Sequence, residues 1–334
     1  MLHKVPQPPR NVRDHADAEP DTALSGRLSR FIDLLKCPET GAPLSLANGR
    51  LTAADGQRSY SVLPSGICLF ADNGVSPQSK AQQIHYDRVA NSYLTNLRYP
   101  HTQEYMAYLD REFLKLVTDR PLGTAAELCC GRGEAIDLLK DKMERCIGVD
   151  ISMAMLEGAQ AAHPEEKLLF LQGDATALPL ADAAFDSVFM LGGIHHVPDR
   201  EALFSEVARI LKPGGRFYFR EPVSDFVLWR AIRAVVYRLS PALDHATERP
   251  LLYSETAPFL DKAQLRLQHW RTCGFVGFCL FMNSDILIFN RLFRFIPGIR
   301  AITRFFARVD NVCLSIPGFS RAGLQVIGVA EKRV

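Results

Sequence analysis

The sequence predicts an α/β fold built on a parallel, doubly wound sheet. From about Thr124 onward, short apolar segments alternate with segments of helical period, which is typical of consecutive right-handed βαβ units. The apolar segments do not alternate regularly between polar and apolar residues, as the strands of a sheet with one solvated face would. This pattern is typical of strands that helices cover on both faces. We therefore expect a buried sheet with a layer of helices on each side.

The predicted elements follow one another in a regular order. Strands are expected at TAAELC, RCIGVDI, KLLFLQGD, FDSVFMLGG and RFYFREP. Helices are expected between them at EAIDLLKDKM, MAMLEGAQAAH and REALFSEVARILK. Beyond the fifth strand we expect a helix over DKAQLRLQHWRTCGF, strand material from Val276 and a last edge strand at LQVIGVAEK.

Composition divides the chain into three parts. Residues 1–30 are rich in Pro, Asp and Arg and lack the apolar core of a secretory signal, so we expect a disordered tail. Residues 31–75 are expected to form a small separate unit. Residues 79–334 are expected to form the main domain, with lid helices over 79–118 and a helical insertion over 286–318.

The bulk composition excludes several classes of protein. A net charge of +2 does not favour nucleic-acid binding, so any basic feature must be local. Eight cysteines are too sparse for a disulfide scaffold in a chain of 334 residues, and we expect reduced thiols and a cytoplasmic location. No uncharged apolar run is long enough to cross a bilayer, although a peripheral contact with a membrane is compatible with the sequence.

The stretch AELCCGRGE, residues 126–134, follows the first predicted strand and opens a helix. Gly131 and Gly133 would let the backbone approach a ligand closely, and strand-to-helix turns of this kind meet at the ligand-binding edge of open sheets. Asp150 follows Gly131 by 19 residues, at the end of the second strand, where a carboxylate can accept both ribose hydroxyls. A nicotinamide dinucleotide is disfavoured because Ile136 replaces the third small residue of its fingerprint.

Four stretches together resemble the class I methyltransferases that use S-adenosylmethionine (SAM). They are AELCCGRGE, GVDISMAML, GDATALPLADAAFDSVFMLGGIHHVPD and LKPGGRFYFREP, and they cover about residues 125–222. The likeness is greatest to the branch that methylates quinones and other small molecules. It implies a Rossmann-like sheet of seven strands, SAM as the cofactor and a small-molecule acceptor.

The resemblance also implies roles for particular residues. Glu127, Gly131 and Gly133 would surround the methionine end of SAM. Asp150 would hold the ribose, and Asp174 would accept the adenine amino hydrogen. The full implied cofactor-binding set is Tyr86, Tyr93, Glu127, Cys129, Gly131, Gly133, Asp150, Ile151, Met155, Asp174, Ala175 and Leu191.

Cys129 and Cys130 are adjacent within the glycine loop, and three interpretations are open: a redox pair, a metal site or packing. Cys129 stands where many members of the family have the first glycine of the loop. Adjacent cysteines form a disulfide only with backbone strain, whereas a buried thiol behaves as a small apolar group. We therefore favour packing beside the cofactor.

The candidate catalytic residues are His195, His196 and Glu221. The two histidines follow the fourth predicted strand, and either imidazole could deprotonate an acceptor, since it titrates near neutral pH. The competing interpretation is that these histidines have no role as a base. Glu221 ends the fifth strand and would either bind the acceptor or cap the next element.

Two tyrosines, Tyr86 and Tyr93, are seven residues apart on one face of a predicted helix. Related enzymes use such a helix as a lid over SAM. An aromatic stripe packed in the core explains the same spacing.

The segment LLKCPETGAPLSLANGRLTAADGQRSYSVLPSGICLF resembles a small zinc-ribbon-like module found with tRNA and rRNA methyltransferases. Cys37 remains, but Thr40 occupies the second ligand position, and Cys68 lies outside the pattern. One soft ligand does not make a structural zinc site, so we expect a metal-free relic. Its predicted core contains Leu35, Leu44, Tyr60 and Val62.

Residues 286–309 contain five Arg, five Phe and no acidic residue. Arg300, Arg304 and Arg308 repeat every four residues and share a helix face. Such a segment favours contact with a membrane or with a lipophilic acceptor. An ordinary packed helix and an RNA-binding patch are the alternatives.

Three functions are consistent with these features. The first is SAM-dependent methylation of a small, lipophilic metabolite. The second is methylation of an rRNA or tRNA base, which the near-neutral charge disfavours. The third is a SAM-binding protein that uses the fold for other chemistry. A homodimer is compatible with each.

Overall fold

The structure is a computed structural model. It describes residues 22–71, 80, 95–117, 120–232, 249–282 and 288–334. The predicted tail therefore lies largely outside the described residues, although Thr22–Ser29 forms a helix where a disordered tail was expected. Tyr86, Tyr93 and the rest of residues 81–94 of the predicted lid also lie outside them, whereas residues 95–117 of the lid are described.

The main sheet contains the seven strands expected of the α/β fold, and their order confirms the predicted class. The bounds are β5 Thr124–Leu128, β6 Arg145–Asp150, β7 Leu168–Gln172, β8 Phe185–Leu191, β9 Leu211–Pro222, β10 Leu265–Cys273 and β11 Gln325–Lys332. The order in the sheet is β7-β6-β5-β8-β9-β11-β10, with β5 to β9 parallel and β11 antiparallel to both of its neighbours. Since the order reverses between β5 and β8, the loops after these strands border the switch point where such sheets bind ligands.

Helices cover this sheet, and two of them within residues 288–315 form what we call the C-terminal cap. Their bounds are α1 Thr22–Ser29, α2 Pro100–Val117, α3 Glu134–Leu139, α4 Met153–Ala162, α5 Arg200–Ile210, α6 Tyr253–Lys262, α7 Val276–Met282 and α8 Ile299–Ser315. Short 3₁₀ helices span Ile32–Leu34, Lys140–Lys142, Ile194–His196 and Ile288–Phe295. Within the described ranges, no helix combines the length and the apolarity needed to cross a bilayer.

The N-terminal segment extends the main sheet, in place of the separate unit expected from the sequence. Its strands are β1 Leu44–Ala47, β2 Arg50–Ala53, β3 Ser59–Val62 and β4 Cys68–Leu69, joined as an antiparallel meander. Strand β4 then pairs in parallel with β7, with Cys68 opposite Leu171. Leu35, Leu44 and Tyr60 are buried in the same apolar cluster as residues of β6 and β7, and Val62 packs against it. This meander therefore covers what would otherwise be an open edge at β7.

Two predictions beyond the fifth strand are wrong. Residues 261–275 were expected to be helical but contain β10, and the strand expected from Val276 is helix α7. The expected edge strand is β11, yet it lies between β9 and β10. The spacing of the apolar residues misled the prediction, because β10 alternates only weakly between buried and exposed positions. Pairing with β11, in which Trp270 lies opposite Gly328, fixes it as a strand.

Candidate active site

The glycine loop turns sharply after β5. Cys129 has a φ of +48°, Gly131 of +52° and Gly133 of +90°. Only glycine adopts such values without strain, so Cys129 is held in this conformation by its surroundings. A methyl group added at Gly131 would meet no atom within 4 Å, which leaves open space against the backbone. This opening is where a ligand could approach the loop.

Glu127 fixes the loop to the helix that follows it. The side chain is 1% exposed, and its two oxygens accept hydrogen bonds from the backbone N–H groups of Ala135 at 2.7 Å and Ile136 at 3.0 Å. Burial raises the pKa of this carboxyl to about 8, although both N–H groups favour the charged form. Glu127 therefore caps α3, which is a positioning role behind the loop. Contact between Glu127 and the methionine end of SAM stays a prediction.

Asp150 ties the end of β6 to the same loop. Its Oδ2 accepts a hydrogen bond from the Gly131 N–H at 2.8 Å, and its Oδ1 accepts one from the Ser152 N–H at 2.8 Å. A carboxylate oxygen has two lone pairs and can accept more than one hydrogen bond, as the predicted contact with the ribose hydroxyls requires. Ser152 in turn caps α4 by accepting the Met155 N–H. The carboxylate is thus held in one orientation at the ligand-binding edge.

The wall of the site beyond Asp150 is mostly apolar. Asp174 follows β7, and its Oδ1 accepts hydrogen bonds from the backbone N–H of Thr176 at 2.9 Å and from its hydroxyl at 2.7 Å. The apolar members of the predicted set lie at the ends of neighbouring strands or helices; Ile151 is half-buried, and Met155, Ala175 and Leu191 are buried. An apolar wall with one oriented carboxylate can bind a flat base and accept its amino hydrogen.

The adjacent cysteines serve packing. All eight cysteines are free, and burial raises the pKa of both the Cys129 and Cys130 thiols well above the ordinary value. Cys129 also faces Gly193, where an added Cβ would lie 2.5 Å from the Cys129 Cβ. The side chain in the loop therefore requires a glycine after β8. Sequence reasoning missed this pairing, since the two positions are distant in the chain.

Glu221 and His195 form a hydrogen-bonded pair at the ends of β8 and β9. Glu221 is fully buried, and its Oε1 accepts the N–H groups of Gly193 at 2.7 Å and Ile194 at 2.8 Å. Its Oε2 lies 2.8 Å from Nδ1 of His195. Burial raises the pKa of Glu221 to about 7, partly offset by these N–H groups. When ionised, the carboxylate only accepts hydrogen bonds, so Nδ1 carries the proton and Nε2 is left as a base.

His196 lies against the same pair. The ring centroids of His195 and His196 are 3.7 Å apart. The carboxylate contact distinguishes the two histidines, because Glu221 bonds to the ring of His195. The sequence left the choice between these residues open, and the geometry selects His195 as the oriented imidazole.

A cleft of about 270 Å³ borders the glycine loop on the side of α2. Its charged lining is an ion cluster in which Arg220, 5% exposed, donates to Asp110 Oδ1 at 2.6 Å and to Glu134 Oε2 at 3.3 Å. The lining residues are Leu97, Gln103, Met106, Asp110, Glu134 and Arg220. Sequence reasoning missed Arg220, although an arginine inside an apolar strand is a usable signal. Because Arg220 and Glu221 are consecutive in β9, their side chains point to opposite faces of the sheet.

Histidines, cysteines and carboxylates are the side chains that could ligate a metal ion. Across the described ranges, no three of them are gathered as a metal site requires. In the N-terminal segment, the thiol of Cys37 instead lies 3.0 Å from the hydroxyl of Tyr60.

Comparison with known proteins agrees with this geometry. A methyltransferase-domain family matches residues 126–219, which run from β5 into β9. The demethylmenaquinone methyltransferase of Symbiobacterium thermophilum is 31% identical over 224 residues, which is 60% of this chain and 88% of that protein. The 27-O-demethylrifamycin SV methyltransferase of Amycolatopsis mediterranei is 36% identical over 107 residues, 30% of this chain and 38% of that protein.

A solved structure supports the fold alone. The [4+2]-cyclase SpnF is 17% identical, with a TM-score of 0.53, and the likeness covers 78% of this chain and 98% of that one. The matched family region contains the glycine loop, Asp150 and His195, and excludes the N-terminal segment and the C-terminal cap. On the length and identity of the match to the Symbiobacterium enzyme, this chain belongs to the class I SAM-dependent methyltransferases, and SAM is its cofactor.

Proposed function

We propose that the protein transfers the methyl group of SAM to a small, lipophilic acceptor that carries an acidic hydrogen, and that His195 removes this hydrogen. The observation that supports this proposal is the 2.8 Å contact between His195 Nδ1 and the buried Glu221 carboxylate. Imidazoles oriented in this way are general bases in many enzymes. The pair lies at the end of β8, beside the loop that follows β5.

The residues around the glycine loop fit the cofactor. Open space at Gly131 would admit the amino-acid end of SAM, and Asp150 would accept the ribose hydroxyls. Ile151, Met155 and Ala175 would contact the adenine. When bound, SAM supplies an electrophilic methyl group attached to a sulfonium. The chain must then orient the acceptor and hold its proton.

His195 performs the proton transfer. Its Nε2 accepts the acidic hydrogen of the acceptor while the Nδ1–H continues to donate to Glu221. The resulting imidazolium is stabilised by the adjacent carboxylate, which is itself held by the Gly193 and Ile194 N–H groups. Loss of the proton leaves an electron pair on the acceptor atom that is methylated. The imidazolium of His195 later releases the proton to solvent.

The lipophilic character of the acceptor is supported by two observations. The two relatives are named for demethylmenaquinone and for 27-O-demethylrifamycin SV. In addition, Leu97 and Met106 line the cleft next to the glycine loop. An apolar lining with a few oriented polar groups is typical of small-molecule sites.

The N-terminal meander is proposed to be a relic of a zinc-ribbon-like module. In support, Cys37 is buried and its thiol is hydrogen-bonded to the Tyr60 hydroxyl, and Thr40 stands at the second ligand position. Elemental analysis of purified protein should find clearly less than one zinc per chain. One tightly held zinc per chain would contradict the proposal.

The direct test is a methyl-transfer assay read by mass spectrometry. Wild-type protein is incubated with SAM and a set of lipophilic quinols and phenols, and S-adenosylhomocysteine and methylated product are both measured. His195→Gln should abolish turnover while SAM still binds, and His196→Gln is the matched control that should remain active. Methylation of RNA alone, or SAM binding without release of S-adenosylhomocysteine for any acceptor, would overturn the proposal.

A further inference from the structure

The C-terminal cap exposes an unusual amount of apolar surface. It consists of the 3₁₀ helix Ile288–Phe295 and helix α8, which both pack against α2. We call its exposed apolar side chains the cap surface. They are Phe289, Leu292, Phe295, Ile296, Ile302, Phe305, Val312 and Ile316.

The 3₁₀ helix presents one continuous apolar stripe. In such a helix, residues three apart are eclipsed, so Phe289, Leu292 and Phe295 lie above one another. Their exposed fractions are 52%, 64% and 68%. Asn290, on another stripe, is fully buried and donates to the Leu280 carbonyl at 3.0 Å. The exposed stripe is therefore fixed by a buried one and does not result from a poorly packed helix.

Helix α8 has two faces that carry apolar side chains, one buried and one exposed. Its buried face packs on α2 and α7 and contains Ile299, Thr303, Ala307, Asp310 and Leu314. Asp310 accepts the N–H groups of Phe275, Gly277 and Phe278, which locks the helix orientation.

The second apolar face of α8 is exposed. Ile302, Phe305, Val312 and Ile316 are exposed and Val309 is half-buried, at spacings of three and four residues. At about 100° per residue, this face lies roughly opposite the buried one. Among the residues that the structure describes, packing covers only one of these two faces.

Arginines border the exposed face. Arg300, Arg304 and Arg308 lie on one side of α8, and Arg294 of the 3₁₀ helix contacts the rings of Tyr99 and Phe295. No acidic residue occurs between positions 286 and 309. Glu104 of α2 is the carboxylate paired with Arg304 at 3.0 Å. Apolar side chains flanked by cations match the interface of an anionic membrane.

We propose that the cap surface docks the protein on an anionic lipid membrane. The apolar stripes enter the headgroup region, and the arginines contact the lipid phosphates. A second copy of the chain is a poorer occupant. A two-fold contact would bring the arginine borders of both copies together with no acidic partner from the same segment.

Docking at this place would also bring the membrane to the cleft beside the glycine loop. That the acceptor enters through this cleft rests on the proposed function. Helix α2 carries the cap on one face and lines the cleft with Gln103, Met106 and Asp110. Arg300 of α8 donates to the side-chain oxygen of Gln103 at 3.0 Å, so the cap and the cleft lining are in contact. An acceptor dissolved in the bilayer would then have a short path into the cleft.

The test is co-sedimentation of the full chain with vesicles. One set contains equal parts of phosphatidylglycerol and phosphatidylcholine, and the other contains phosphatidylcholine alone. Wild type should bind the anionic vesicles, with affinity that falls as salt is added. The variant Leu292→Gln, Phe295→Gln, Phe305→Gln should lose the binding. The variant Arg300→Gln, Arg304→Gln, Arg308→Gln should bind about 100-fold more weakly, since each of the three arginines near an anionic surface contributes roughly a factor of five.

Matched controls separate docking from general charge and from folding. The variant Arg30→Gln, Arg50→Gln, Arg266→Gln removes three exposed arginines from other parts of the surface and should bind like wild type. All substituted side chains are exposed, so unfolding midpoints should change little. Absence of wild-type binding to anionic vesicles, or equal loss in the control, would overturn the proposal. A different result would be that the wild type does not bind vesicles but forms a dimer, and that the variant Leu292→Gln, Phe295→Gln, Phe305→Gln is a monomer. This result would assign the cap surface to a second copy of the chain and would also overturn the proposal.

Kinetics distinguish failure of docking from failure of the proposed function. With an acceptor embedded in vesicles, the apolar variant should raise KM, whereas with a water-soluble acceptor it should behave as wild type. Vesicle binding without any methyl transfer would support docking and count only against the proposed reaction.

Discussion

The ligand-binding edge of the sheet and the C-terminal cap differ in how their side chains are satisfied. At the edge, the carboxylates of Glu127, Asp150 and Glu221 each accept two or more hydrogen bonds from nearby N–H groups. In the cap, large apolar side chains such as Phe295 and Val312 remain more than half exposed. In one region the polar groups find partners within the chain, and the other contains an apolar surface that no described residue covers.

This difference indicates how the two regions work. The edge holds its polar groups rigidly before any ligand arrives, which suits a cofactor that is always the same. The cap leaves apolar surface uncovered, which stabilises the protein only when something outside the chain covers it. We therefore expect substitutions at the edge to change chemistry and cofactor affinity, and those in the cap to change location and acceptor supply.

The largest effect is expected for Glu221→Gln. The amide oxygen can still accept the Gly193 and Ile194 N–H groups, but the amide NH₂ would face His195 Nδ1. The imidazole would then carry its proton on Nε2 and could not act as a base. Since general-base catalysis contributes about 100- to 10,000-fold, kcat should fall by that range.

Cofactor binding is the control for that variant. Calorimetry should show SAM affinity within about twofold of wild type, because the substitution leaves the Asp150 side of the site intact. A kcat close to that of wild type would contradict the assigned role of the pair.

The next effect is expected for Asp150→Ala. Hydrogen bonds to a charged acceptor contribute about 1.5–3 kcal/mol, so SAM should bind roughly 10- to 150-fold more weakly. Gly131 also loses the acceptor of its N–H, which loosens the loop. Calorimetry with S-adenosylhomocysteine measures the change, and an unaltered dissociation constant would refute the ribose assignment.

A smaller effect is expected on stability for Gly193→Ala. Its new Cβ would lie 2.5 Å from the Cys129 Cβ and 2.8 Å from Met190 Cε, and such overpacking costs about 1–3 kcal/mol. Adding Cys129→Gly should recover part of the loss, since glycine also suits the positive φ at that position. Urea unfolding of the two single variants and the double variant gives the coupling between the sites. Additive effects would show that the two residues do not compete for the same space.

The smallest effect on stability is expected in the cap. Arg304 is about half exposed and pairs with Glu104, which also lies 3.9 Å from Arg300 and so keeps a cationic neighbour when Arg304 is replaced. Ion pairs at the surface contribute about 0–1 kcal/mol. Arg304→Gln should therefore shift the free energy of unfolding by less than about 1 kcal/mol. A larger loss would mean that the cap arginines hold the fold together, which would weaken the contrast between the regions.

The sequence predicted where the residues of the edge lie, because local backbone geometry determines their placement, whereas their contacts with SAM stay predictions. Gly131, Gly133 and Asp150 belong to a strand-turn-helix unit whose spacing is set by the sheet, so their placement follows from the order of strands. The preference for His195 over His196 required the structure, since it depends on where Glu221 of another strand lies.

The C-terminal part was predicted less well, for physical reasons that particular residues illustrate. Strand β10 lies at the sheet edge, so its apolar pattern is weak, and only pairing with β11 distinguishes it from a helix. In α8, the sequence shows apolar residues on several sides but does not say that Ile299 is buried and Phe305 exposed. The pairing of Cys129 with Gly193 depends on a contact between two loops, which no local pattern reveals.

The central claim is that the ionised Glu221 carboxylate holds His195 as the base. Burial raises the pKa of Glu221 to about 7, so the carboxylate form predominates above that pH and is lost as the pH falls through it. The decisive measurement is the pH dependence of kcat with a water-soluble acceptor, from about pH 5.5 to about pH 9. kcat should rise through about pH 7 to a plateau, and Glu221→Gln should abolish this rise. A wild-type kcat that does not change with pH over this range, or an identical rise in Glu221→Gln, would contradict the central claim.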